Sequence, residues 1–160
     1  MTQKLYPYLI KDSGVTINIR KVSPLLLNEV SKKFPRPNAP LNEVDYGDGK
    51  KKQESNEADP DFQVSLSAWQ QAIYIETQRI MIDRGVVIAL TDDQKEDVRE
   101  LRKYWKDTYN SELMGSDVFV YITLIALSTQ EDIQELIEGI TRRSQPTEGA
   151  IAEAVTSFRS

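Results

Sequence analysis

The chain has 160 residues, 39% hydrophobic and 28% charged, a balance that suits one globular domain with its own core and leaves no room for a second full domain. It contains neither cysteine nor histidine, which excludes disulfides, thiol nucleophiles, imidazole acid–base chemistry and the usual zinc sites. The net charge of −5 is unevenly spread: residues 1–36 carry seven Lys/Arg against two acids, so the remaining 124 residues carry −10, a surface that repels phosphate backbones and makes nucleic acid a poor partner.

Read in order, residues 5–10 and 15–22 flank the turn Lys11-Asp12-Ser13-Gly14, and the second run alternates Val15, Ile17 and Ile19 with Thr16, Asn18 and Arg20. That period of two, with Gly14 free to take the positive φ of a tight turn, predicts a β-hairpin. Two strands alone are marginal, so the hairpin must pack on a helix or pair with another edge. Ser23 and Pro24 then start a short helix carrying Leu25, Leu26, Leu27 and Val30, closed by Phe34 and stopped by Pro35. The prolines of residues 35–40 favour an extended connector, and a structural role explains them as well as an SH3-type ligand would. Residues 41–46 suit a short strand. Residues 47–58, with Gly47-Asp48-Gly49 and Lys50, Lys51 and Lys52, hold almost nothing apolar and read as a mobile surface loop or a strand-loop-strand excursion.

The longest pattern is a helix over residues 59–84. Asp59 caps its first turn, Pro60 takes the first helical position, and Phe62, Leu66, Trp69, Ile73, Ile80 and Met81 recur at three- and four-residue spacing. Trp69 is expected as a core anchor against Leu101, Trp105 or the apolar helix of residues 118–127, and Gly85 as a left-handed cap. Thr91 and Gln94 form a capping box for a helix reaching Tyr109, with Val98, Leu101, Tyr104, Trp105 and Tyr109 inward and a mixed-charge outer face. Ser116 caps a helix over residues 117–127, apolar on most sides and therefore expected to be central. Thr129 starts another, with Ile133, Leu136, Ile137 and Ile140 on one side and Arg142 and Arg143 at its end. After Pro146, Thr147 begins a last helix through Ile151, Ala154, Val155 and Phe158.

These patterns predict a mainly α fold with an N-terminal β-hairpin and a long central helix. Residues 1–58 form the hairpin, short helix and proline-rich connector, and residues 59–160 form a helical domain. Chemistry is not expected. Asp92, Asp93, Asp97, Glu131, Asp132 and Glu135 cluster near helix starts, where the helix dipole favours carboxylates, and no cofactor, metal site or enzyme activity is assigned to them. A helix-turn-helix over residues 91–143 fails on charge, because its second helix would bring four acids to the phosphates ahead of two arginines. The first seven residues lack the charged start and apolar core of a secretory signal. The most apolar run, residues 118–127, is about half the ~20 residues needed to cross a bilayer, so a soluble protein without membrane contact is expected.

Val22-Ser23-Pro24-Leu25-Leu26-Leu27, the Pro35-Arg36-Pro37 to Pro40 connector, Val44 with Gly47-Asp48-Gly49, and Asn56 with Asp59-Pro60-Asp61-Phe62 together resemble a tail assembly chaperone of long-tailed, siphovirus-like bacteriophages. The resemblance covers the first 70 residues best, while Arg84-Gly85-Val86 and Gln145-Pro146-Thr147-Glu148 are compatible with it. It implies a protein of the host cytoplasm, absent from the mature virion, that binds the tape measure protein and keeps its apolar helical stretches soluble while tail tube protein assembles around it. It implies also that a longer, frameshifted form is common in such proteins. The alternatives are a structural tail or head-completion protein of the virion and a regulatory protein-interaction module. Within the chaperone reading, the thin stripe Ile151, Val155 and Phe158 is the expected partner-binding surface, since a weakly anchored terminal helix is readily displaced by an incoming amphipathic one.

Overall fold

A computed structural model describes residues 3–47, 49–127 and 129–145. The protein is mainly α with a small β component: 56% of the described residues are helical. In chain order, β1 (Tyr6–Leu9) and β2 (Thr16–Ile19) precede α1 (Pro24–Lys33), β3 (Leu41–Asp45) and β4 (Lys51–Ser55). The long α2 (Pro60–Gly85), the two-residue β5 (Val86–Val87), α3 (Asp92–Tyr109) and α4 (Asp117–Tyr121) follow, and then a π-helical turn (Ile122–Ala126) and α5 (Gln130–Ser144). Contacts gather these into two units. One contains residues up to Pro24 and from Gln78 onward, and the other Leu25–Thr77.

In the first unit, Gly14 takes φ +69° and Ile10 N–H donates to the Val15 carbonyl at 2.8 Å, closing the hairpin turn. β1, β2 and β5 form an antiparallel sheet in that order, with Tyr6 opposite Ile19 and Ile19 opposite Val86. Ile17 and Ile19 are buried while Thr16 and Asn18 are exposed, as the alternation predicts. Two strands do not hold themselves, and α5 supplies the support. The Tyr8 hydroxyl donates to the Glu135 carbonyl at 3.2 Å, and Val22 N–H donates to Ser144 Oγ at 2.9 Å. Gly139 leaves room for the Tyr8 ring: a Cβ there would stand 2.7 Å from it. The core of this unit is aliphatic, with Ile10, Ile19, Ile82, Val98, Val120, Ile122, Leu136 and Ile140 essentially inaccessible.

The second unit is held by fewer anchors. Val30 of α1 and Phe62 of α2 are buried. Asp59 caps α2 by accepting from Phe62 N–H at 2.9 Å. The Trp69 indole N–H donates to the Phe34 carbonyl at 2.7 Å, and the Lys33 ammonium lies 3.3 Å from the carboxylate of the buried Glu76. On the surface of α1, Glu29 accepts from Lys32 at 2.8 Å, and this hydrogen bond, then the charge behind it, raises the lysine's pKa. β3 and β4 pair antiparallel from Leu41 opposite Ser55 to Asp45 opposite Lys51, so residues 51–55 are the returning strand of the strand-loop-strand alternative. Every residue of β4 is exposed, which is why it shows no hydrophobic alternation.

Several local expectations are corrected. Gly85 is not left-handed; it closes α2 at a negative φ and is small because Ile140 lies against it. The predicted α2 stripe is only partly interior: Leu66, Trp69, Ile73 and Ile80 are half-buried, and fully buried Ile82 lies off that stripe. Residues 117–127 do not form one central α-helix. Thr123 Oγ1 donates to the Phe119 carbonyl at 2.7 Å, a back-bond that competes with the backbone ladder, and Leu127 N–H reaches the Ile122 carbonyl at 3.1 Å in π spacing. Leu124 is 52% exposed, so one side of this segment faces outward.

Candidate functional site

A described surface that departs from an ordinary solvated one is the corner where α3 gives way to α4. α3 begins with the predicted capping box: Gln94 N–H donates to Thr91 Oγ1 at 3.2 Å and Thr91 N–H to Gln94 Oε1 at 3.0 Å. The same Gln94 side chain donates to the Tyr121 hydroxyl at 3.0 Å, tying the start of α3 to the end of α4. At its far end Asn110 adopts the left-handed conformation (φ 50°) and its N–H donates to the Lys106 carbonyl at 2.9 Å, a standard helix stop.

Arg102 organises the turn that follows. Its guanidinium donates to the carbonyls of Leu113 and Gly115, each at 2.8 Å, and to Asp117 Oδ1 at 3.0 Å. A planar fork of five donors can satisfy three acceptors lying in different directions, which a lysine cannot do. Gly115 supplies a positive φ (+96°), and the Phe119 ring lies where a Cβ would stand. Ser116 caps α4 by accepting from Phe119 N–H at 3.1 Å while its hydroxyl donates to Asp83, itself paired with Arg79 at 3.1 Å. The turn is therefore fixed at both ends.

On this rigid frame a half-open cavity of about 350 Å³ is lined by Arg102, Lys103, Lys106, Glu112 and Leu113. Apolar side chains left uncovered lie on the same stretch of chain. Tyr104 and Tyr109 are each 58% exposed and Met114 is 70% exposed. Trp105 packs on Tyr109 with ring centroids 4.5 Å apart and donates to Ser111 Oγ at 3.1 Å. Aromatic rings with one polar tip, beside a flexible methionine, are the composition of surfaces that accept varied apolar helices.

The sequence misreads this corner in two respects. Tyr104 and Tyr109 were expected inward, yet only Val98 of α3 is fully buried. Arg102 falls on the helix's mixed-charge outer face, where nothing in the helical pattern distinguishes it; the signals that could single it out are Asn110 as a helix stop and Gly115 before the Ser116 cap, which together force a turn whose carbonyls need donors. The expected partner-binding residues Ile151, Val155 and Phe158 lie outside the described residues.

The acid clusters sit where the helix dipole places them. Asp92 and Asp93 occupy the first turn of α3, and Glu131 and Asp132 that of α5, where Asp132 is fully buried and its N–H donates to Thr129 Oγ1 at 3.1 Å. Among the described residues no group of three or more carboxylates is arranged to hold a metal ion, and no helix is long and apolar enough to cross a membrane. The sequence matches no protein-family model, and neither curated proteins nor solved structures gave a significant match.

Proposed function

We propose that the chain is a bacteriophage tail assembly chaperone that binds the tape measure protein in the host cytoplasm and keeps its apolar helical stretches soluble while tail tube protein assembles. The observation that carries this reading is the stretch from α3 into the turn braced by Arg102, where Tyr104, Tyr109 and Met114 stay uncovered. Exposed aromatic and methionine side chains on a braced turn offer apolar contacts to an amphipathic helix without a large ordering cost, and Lys103, Lys106 and Glu112, which line the cavity, offer charges to its polar edges. The family resemblance of the first 70 residues supports the same reading. Ile151, Val155 and Phe158 provide a second apolar contact in this scheme.

The test is co-expression with a candidate tape measure protein from the same genome, scoring how much of it stays soluble and is captured. Tyr104→Ser, Tyr109→Ser and Met114→Ser, combined in one chain, remove exposed groups and leave the core intact; a joint loss of about 1.4 kcal/mol or more would lower capture roughly tenfold. A chain ending at residue 145 measures the share of the terminal stripe. Undiminished capture by both variants would refute the assigned surface. Presence of the chain at fixed copy number in purified virions would favour the structural alternative over the chaperone.

A further inference from the structure

Residues 62–75 of α2 contain no charged side chain, in a chain that is 28% charged. Exposed helical residues are ordinarily where Lys, Glu and Arg collect. Here one side carries Phe62, Leu66, Trp69 and Ile73, buried or half-buried, but the opposite side is also apolar or small: Val64 is 71% exposed, Ile75 is 49% exposed, and Ala68 and Gln71 between them are exposed too. The helix thus has a second face that the described residues leave largely exposed.

The spacing of that face says what fits it. Val64, Ala68, Gln71 and Ile75 follow one another at intervals of four, three and four, the seam of a coiled coil, flanked by Ser65, Ser67, Ala72 and Tyr74, which carry no charge to repel a like helix. The seam is also its own complement. Laid antiparallel on a second copy about a two-fold axis between Ala68 and Gln71, it brings Val64 opposite Ile75 of the other copy and Ala68 opposite Gln71, and both contacts are made twice. Ala68 beside the axis permits close approach of the backbones.

We infer that this face of α2 is a homodimer interface in which two copies pair antiparallel through Val64, Ala68, Gln71 and Ile75. A helical run this short buries less than the ~1,200–2,000 Å² of a stable standard interface, so the dimer is weak and concentration-dependent. The inference does not rest on the chaperone reading, because none of these four residues belongs to the tape-measure surface proposed above.

Sedimentation velocity on the full chain alone, from about 1 to 200 μM, tests it. The expected result is a mass rising from 18.3 kDa toward twice that value. Val64→Glu and Ile75→Lys singly should each leave a monomer at 200 μM, with an unchanged circular dichroism spectrum because both positions are exposed. The two together in one chain should restore the dimer, since antiparallel pairing sets each new glutamate against a new lysine of the other copy. Eleven residues along a helix put the two groups ~16 Å apart within one chain, too far to pair internally. A wild-type chain monomeric at 200 μM, single variants that still dimerise, or a double variant that stays monomeric would each overturn the inference.

Discussion

Gly85→Ala separates two reasons for a glycine at the end of α2. A left-handed cap would need glycine for its backbone, and asparagine would then be the best replacement. The structure assigns a steric reason instead: a Cβ on Gly85 would stand 2.7 Å from Ile140 Cγ2, 2.8 Å from Cδ1 and 3.1 Å from Cγ1. Ile140 has no exposed surface, so it cannot swing aside into solvent. Forcing a methyl into such a contact costs ~1–3 kcal/mol, offset by the ~0.5–1 kcal/mol by which alanine favours a helix over glycine. The expected net loss is about 1–2 kcal/mol, read as a lowered urea midpoint at constant slope. Gly85→Asn, bulkier still, should lose more than Gly85→Ala. Ile140→Val removes Cδ1 and costs ~0.5–1.5 kcal/mol alone, but in the double variant the losses should fall short of additive by 0.5 kcal/mol or more. If Gly85→Asn proved milder than Gly85→Ala, and the pair simply additive, the packing explanation would be refuted.

Two further perturbations examine the other supports. Arg102→Met should cost about 2 kcal/mol and speed amide exchange across residues 111–116, and Arg102→Lys should not rescue it, since an ammonium cannot serve the Leu113 and Gly115 carbonyls and Asp117 together; equal protection in the lysine variant would contradict the bracing role. Trp69→Phe keeps a ring in the half-buried site but withdraws the donor from the Phe34 carbonyl, so a loss of ~1 kcal/mol in urea unfolding is expected, and no measurable change would show that water replaces that bond freely.

Local patterns sufficed wherever the cause of structure is local. Gly14 in the first hairpin turn, Asp59 and Pro60 at the start of α2, the Thr91–Gln94 box and the Ser116 and Thr129 caps each depend on residues within a few positions of one another, and all can be read from the chain. The inward alternation of Ile17 and Ile19 belongs with them, because a strand covered on one face writes its burial in a period of two.

What the tertiary structure decided are matters of distant partners. Only the approach of α5 to β1 and to the end of α2 explains why Gly139 and Gly85 must lack a Cβ, since Tyr8 and Ile140 are far from them in sequence. β4 formed without any apolar pattern because its pairing with β3 is a backbone matter, satisfied across an exposed hairpin. Apolar residues on two sides of α2 made its stripe ambiguous, and contacts alone chose Ile82 for the core while leaving Val64 and Ile75 bare. Arg102 is the sharpest case. A sequence shows it as one charge among many on a solvated helix, whereas two of its partners are the carbonyl oxygens of Leu113 and Gly115, a group that every residue carries and that only the fold brings within reach.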